Sequence, residues 1–191
     1  MNKQNFIPNL ENPWEIHSQQ YVFRKLLRAF SFPGDSVEIL KREKDVDLLR
    51  QLVLSTLIDA ETTFSDPDNL LSKIEHIRLK PEIVSPEKAR YIIACGTKAP
   101  SFTPFNGTLI SPEFGATLIL KAEEDIQKVN LRVNGPGINS FKVISLEGIS
   151  KNWITERENW IDFPLGVDFI IYNSTSVIAF PRTTKIEILE G

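Results

Sequence analysis

The chain of 191 residues has a single cysteine, Cys95, which excludes an internal disulfide and any paired-cysteine metal site. Its two histidines, His17 and His76, lie far apart with no second ligand at motif spacing, so no metal site is expected and both read as solvated surface residues. Neither charge dominates: 22 Lys and Arg against 25 Asp and Glu give a formal charge of -3, which offers no global attraction for nucleic acid or an anionic membrane. No apolar run approaches the roughly 18 residues of a membrane span. The amino-terminal "MNKQNFIPNLENPWE" lacks the apolar core of a signal peptide, so the expectation is a cytoplasmic protein in a reducing compartment. Internal repeats, low-complexity tracts and charge runs are missing too, which leaves no linker at which to divide the chain.

What is present reads as one α/β domain. In "YVFRKLLRAFSFPG", Phe23, Leu26, Leu27 and Phe30 fall at i, i+3, i+4 and i+7, predicting a buried helix face with Arg24 and Arg28 pointing away as a polar rim. Asn12 with Glu15, or Ser18, could start this helix, and Pro33-Gly34 ends it. A short strand is expected at "SVEIL". Val46, Leu49, Val53 and Leu57 predict a second helix with Asp45 at its start. "SDPDNLLSKIEHI" predicts a third, with Pro67 in its first turn and Leu70, Leu71, Ile74 and Ile77 on one side.

From Arg90 onward, apolar and β-branched runs between glycines and prolines predict strands at "YIIAC", "GATLIL" and "VNLRV". A helix is expected at "GISKNWITERENW", where Ile149, Trp153 and Trp160 share a face. "VDFIIY" and "VIAF" flank the polar "NSTS" as a hairpin, and "KIEIL" follows as a last strand. Helices covering a mixed β-sheet are the expected architecture, with an arm over residues 1–20 and a single domain over 21–191.

Chemistry-bearing motifs are sparse. "NGPGIN" lacks the third glycine of a phosphate loop, and Pro136 removes a donor, so a tight turn is the better reading. Lys98 could form a Schiff base with a carbonyl cofactor, but a solvated loop lysine is commoner. Cys95, in an apolar strand, is expected to be inert. In "FPRTTKIEI", Pro181 cannot donate to a ladder, so it ends a strand and releases Arg182, Thr183 and Thr184 into a loop. There an arginine fork and two hydroxyls could bind phosphate or carboxylate, although an internal pairing of Arg182 with an acidic neighbour is the simpler reading of the segment alone. No catalytic set emerges.

Taken in order, "FRKLLRAFSFPG", "PEFGATLIL", "GPGI", "FPLGVDFII" and "IAFPRTTKIEI" resemble the characteristic segments of PhnH, a subunit of the bacterial carbon-phosphorus lyase system. The match runs from about Tyr21 to near the carboxyl terminus. The resemblance implies an accessory subunit which, with PhnG, PhnI and PhnL, forms alpha-D-ribose 1-phosphonate 5-triphosphate from ATP and an alkylphosphonate. The radical subunit PhnJ then breaks the carbon-phosphorus bond. It further implies a fold similar to pyridoxal-phosphate-dependent transferases but without the cofactor, and a homodimer when isolated. Arg182, Thr183, Thr184, Arg24 and Arg28 are then the expected binding or interface residues, with a partner subunit preferred over an anion. The rival reading is a phosphonate- or nucleotide-binding protein that uses the Arg182 loop, and a third is an independent pyridoxal-phosphate enzyme.

Overall fold

A computed structural model describes residues 10–41, 46–123 and 128–189. The expected helix start at Asp45 lies outside them, as do residues 1–9 of the expected arm. Three helices come first: α1 (Ile16–Ser31), α2 (Val46–Leu57) and α3 (Lys73–Leu79), with the short strands β1 (Val37–Glu38), β2 (Thr63–Ser65) and β3 (Glu82–Ile83) between and after them. Then follow β4 (Tyr91–Cys95), β5 (Thr117–Lys121), β6 (Lys128–Asn134), β7 (Lys142–Glu147), α4 (Lys151–Trp160), β8 (Asp168–Tyr172), β9 (Ser176–Phe180) and β10 (Lys185–Leu189).

Seven strands form one sheet in the order β1-β9-β8-β5-β4-β2-β3, and β10-β6-β7 form a second, antiparallel sheet. In the large sheet β3, β2, β4, β5 and β8 run parallel, while β9 returns antiparallel to β8 and pairs with β1. Parallel strands covered on both faces read as continuous apolar runs, and "YIIAC", "TLIL" and "FIIY" do so for that reason. Ile93, Ile119 and Ile170 point to one side, into a core with Val22, Leu26 and Ala29 of α1 and Leu49, Leu52 and Val53 of α2. Ile92, Leu118, Leu120, Phe169 and Ile171 point to the other, into a second core with Trp153 of α4 and Leu131, Val133 and Leu146 of the small sheet. The mixed sheet expected from the sequence is present, but helices cover only one of its faces alone; a helix and a second sheet share the other.

The expected strands and the "NSTS" hairpin form, and β7, which sequence patterning did not pick out, completes the small sheet against β6. Two helix faces are corrected. On α1 the core takes Ser18, Val22, Leu26 and Ala29, whereas Phe23 and Leu27 are exposed and Phe30 is half-buried. The small Ser18 and Ala29 let the helix lie close to its neighbours, which the bulkier face would not allow. Helix α3 starts six residues after Pro67. Ser72 caps it, accepting from Glu75 N while the Glu75 carboxylate takes Ser72 N, a reciprocal capping box. A helix that begins so late leaves Ile74 and Ile77 exposed and buries Leu71 and Leu79 instead. Helix α1 begins at Ile16, with Glu15 at its N-cap position and no side-chain cap; Ser18 lies inside it and Asn12 accepts from Trp14 N.

Candidate functional site

Because Tyr91, Thr117 and Asp168 are in register, the segments leading into β4, β5 and β8 meet at the amino end of the large sheet. The hairpin register Phe169↔Phe180 brings the end of β9 to the same place. Two arginines lace these loops together. Arg90, directly before β4, donates to the carbonyls of Glu113 and Gly115 and lies over the Phe114 ring at 5.8 Å. Arg182 donates from Nη2 to Asp168 Oδ2 at 2.7 Å and from Nε to Oδ1 at 3.3 Å, while Nη1 donates to the Pro112 carbonyl. Its backbone N–H donates to the same carboxylate at 2.7 Å. Gly115 is required here: a Cβ would lie 2.2 Å from the Gly166 carbonyl oxygen. Thus "PEFG", "FPLGVD" and "FPRTT", distant in sequence, close into one structure.

A third arginine fixes that structure from below. Arg157 of α4 is fully buried and donates to the carbonyls of Thr184 at 3.1 Å and Pro181 at 2.6 Å, with a longer bond to Phe180 at 3.5 Å. It pairs with Glu158 and lies over the Phe169 ring at 5.6 Å. Burial pulls its pKa below the ordinary arginine value, with Glu158 opposing. Patterning missed Arg157, although its place four residues after Trp153 and three before Trp160 puts a charge on the apolar face of α4, which is the signal that could have found it.

The expected outward-facing "PRTT" loop is corrected accordingly. Arg182 is largely buried and its fork is occupied by Asp168 and Pro112, so the internal pairing holds and the guanidinium is not free for an external anion. Thr184 is buried, with a hydroxyl that finds no hydrogen-bond partner among the described residues. Thr183 alone of the three is exposed.

At the carboxyl end of the parallel strands, where α/β sheets commonly bind ligands, the residues are acidic and polar. Asp68 accepts from Cys95 N at 2.8 Å and from Lys98 Nζ at 2.9 Å. This pairing raises the Lys98 pKa, which opposes the neutral amine a Schiff base needs. Cys95 is buried, 3.1 Å from the Thr97 hydroxyl. Deeper, the Glu75 carboxylate receives Arg50 Nη2 at 2.9 Å, and Arg50 Nη1 donates to Asp47 at 2.7 Å. Burial alone would raise the Glu75 pKa, but Ser72 and Arg50 outweigh it and hold the carboxyl below its ordinary value. Tyr172, buried beside these charges, has its hydroxyl pushed well up by burial. A shallow cavity of about 210 Å³ opens between the sheets next to it, lined by Ser36, Ser145, Glu147, Tyr172, Asn173 and Ser176 among others. Among the described residues no cluster of His, Cys, Asp and Glu could hold a metal ion, and no helix is long and apolar enough to cross a membrane.

Arg24 and Arg28 are exposed on α1, on the face that carries Phe23 and Leu27. Arg28 lies over the Phe32 ring at 5.9 Å, and neither arginine meets a carboxylate among the described residues. The carboxyl end of α1 docks on the "GPGI" turn, where a Cβ at Gly137 would lie 2.2 Å from the Ser31 carbonyl oxygen. The remaining two family-like segments are therefore also in contact.

The molecule is an α/β protein with a mixed central sheet, whose buried arginines are engaged within the fold and whose large apolar side chains continue onto the surface at several places. Its sequence matches the family described as "Bacterial phosphonate metabolism protein (PhnH)" over residues 11–187, and the chain belongs to that family. It is 36% identical over 176 residues to the "Putative C-P lyase subunit protein HtxG" of Stutzerimonas stutzeri, covering 92% of this chain and 89% of that relative. It is 32% identical over 94 residues to the "Alpha-D-ribose 1-methylphosphonate 5-triphosphate synthase subunit PhnH" of Rhizobium meliloti (strain 1021), covering 48% of this chain and 47% of that one. A role as a subunit in carbon-phosphorus lyase phosphonate metabolism follows from this membership.

Proposed function

We propose that the protein is an accessory subunit, without a complete active site of its own, of the complex that makes alpha-D-ribose 1-phosphonate 5-triphosphate from ATP and an alkylphosphonate. Its partners in this reading are the PhnG, PhnI, PhnJ and PhnL subunits, in the cytoplasm, with a homodimer as the isolated state. A sheet of the pyridoxal-phosphate-transferase kind, used without the cofactor, belongs to the same reading. The observation that carries it is the outer face of α1. Exposed Phe23 and Leu27 lie beside Arg24 and Arg28, which have no carboxylate partner among the described residues. An apolar stripe with a free basic rim suits a protein interface with an acidic edge. The rival, an anion site at Arg182, is disfavoured because that guanidinium is already engaged by Asp168; Thr183 stays in the reading as an exposed contact of the same loop.

The test is recovery of the other lyase subunits on a tagged chain, with growth on a phosphonate as sole phosphorus source. Leu27→Asp and Arg24→Glu should both reduce recovery and growth while leaving the folded spectrum unchanged. Full recovery with both variants would remove α1 from the interface.

A further inference from the structure

The amino end of the large sheet carries a second exposed apolar surface. Ile110 is 95% exposed, Leu109 77%, Phe163 75% and Phe114 57%. Single exposed apolar residues are ordinary; four on neighbouring loops at one end of a domain are not.

These loops are tightly built. Thr108 and Ser111 exchange backbone bonds around Leu109 and Ile110. Asn106 ties this loop to the next, donating from Nδ2 to the Trp160 carbonyl at 2.9 Å and accepting from Gly166 N at 3.0 Å. Asp162 and Leu165 exchange a second pair of backbone bonds around Phe163. With Arg90 and Arg182 bound to the carbonyls of Pro112, Glu113 and Gly115, the loops hold their apolar side chains outward on a fixed base. A surface so pre-organised loses little entropy on binding.

Charge selects the occupant. The carboxylates of Glu113 and Asp162 are exposed within these loops and have no partner among the described residues. The two arginines nearest them are engaged elsewhere, Arg182 with Asp168 and Arg90 with loop carbonyls. Arg182 is charge-paired with Asp168, so the two exposed carboxylates outnumber the one remaining cation, the Arg90 guanidinium over the Phe114 ring, and the rim is acidic on balance, opposite in sign to the rim on α1.

We propose that the loops 108–114 and 161–166 form a second docking surface, for a partner lyase subunit that presents an apolar ridge flanked by lysine or arginine. This rests on the functional reading above. It makes the chain a bridge between two neighbours, one acidic-edged at α1 and one basic-edged here.

The experiment compares tagged parent, Ile110→Asp, Phe163→Asp and Asp162→Lys chains co-expressed with the other subunits, with amide exchange of loops 108–114 and 161–166 alone and in the complex. Ile110→Asp and Phe163→Asp are expected to lower recovery of one subunit about tenfold or more, as loss of an interface anchor does. Asp162→Lys should weaken the same contact, and both loops should gain protection in the complex. If the parent recovers no lyase subunit, the functional reading falls and this one with it. If the parent succeeds and the Asp variants equal it, only the loop assignment is overturned. Protection that appears on concentrating the isolated chain, and does not grow with the subunits added, would likewise overturn it and assign the surface to a second copy.

Discussion

The two ends of the large sheet solve the same problem with opposite chemistry. At the amino end the loops are held by arginines that donate to carbonyl oxygens, from Arg90, Arg182 and Arg157. At the carboxyl end they are held by carboxylates that accept from backbone and side chain, Asp68 and Glu75 foremost. Asp66 adds two more, accepting from Leu70 N and Leu71 N at 2.8 Å each. Each guanidinium here reaches from its own segment to one distant in sequence, whereas the carboxylates are mixed: Asp66 takes donors four and five residues on, Glu75 takes both neighbouring Ser72 and Arg50 of α2, and Asp68 takes Cys95 and Lys98. The arginine end thus ties together residues from 90 to 184, and the carboxylate end organises the entry to α3 and ties it to α2 and to the end of β4.

The largest effect should come from removing the most buried guanidinium. Arg157→Ala strips the carbonyls of Pro181 and Thr184 of their donor in a dry site and should cost about 3–5 kcal/mol, the range for breaking a buried charged network. A denaturant titration reads this directly, and a loss under about 1 kcal/mol would mean the carbonyls find water and the arginine end is less rigid than its bonds suggest.

Acid should act next, and at the other end. The Glu75 carboxyl is held below its ordinary value in the folded state, so its stabilisation is fully present above the unfolded value, near 4.5, and is lost as pH falls through the lower folded value. Denaturation midpoints measured from neutral pH downward should fall within that window. Ser72→Ala removes the helix cap and one of the bonds to Glu75, should cost about 1 kcal/mol at neutral pH, and should shrink the acid-dependent part. An unchanged acid profile in this variant would show that Arg50 and the backbone N–H of residue 72 hold the carboxylate without the hydroxyl.

The smallest effect is expected on α1, between the ends. Leu27→Ala should shift stability by no more than about 0.5 kcal/mol because the side chain is exposed. A core-sized loss would place Leu27 in a contact the isolated fold does not display.

Much of this architecture was legible in the sequence, and the failures have physical causes. The parallel strands announced themselves because burial on both faces forces uninterrupted apolar runs. The α1 face misled because two stripes compete, and the one with larger side chains is the one left outside; close packing favours Ala29 and Ser18 over bulk. Ile74 and Ile77 misled because the reciprocal Ser72–Glu75 cap starts the helix later than Pro67 suggested. The Arg182–Asp168 pair was readable in principle: once Phe169 and Phe180 are aligned across the hairpin, Asp168 faces Pro181 and Arg182 lies one residue away, within reach of the carboxylate. The acidic and apolar character of loops 108–114 and 161–166 was not, since nothing in linear order says that these loops are neighbours.

The four residues from Pro181 to Thr184 are all that separates β9 of one sheet from β10 of the other. Such a junction would ordinarily act as a swivel. Arg157 clasps the carbonyls on both sides of it, and Arg157 belongs to α4, which lies against both sheets. Torque applied to the small sheet is therefore passed through the helix to the large one, and the two sheets turn as a single lever.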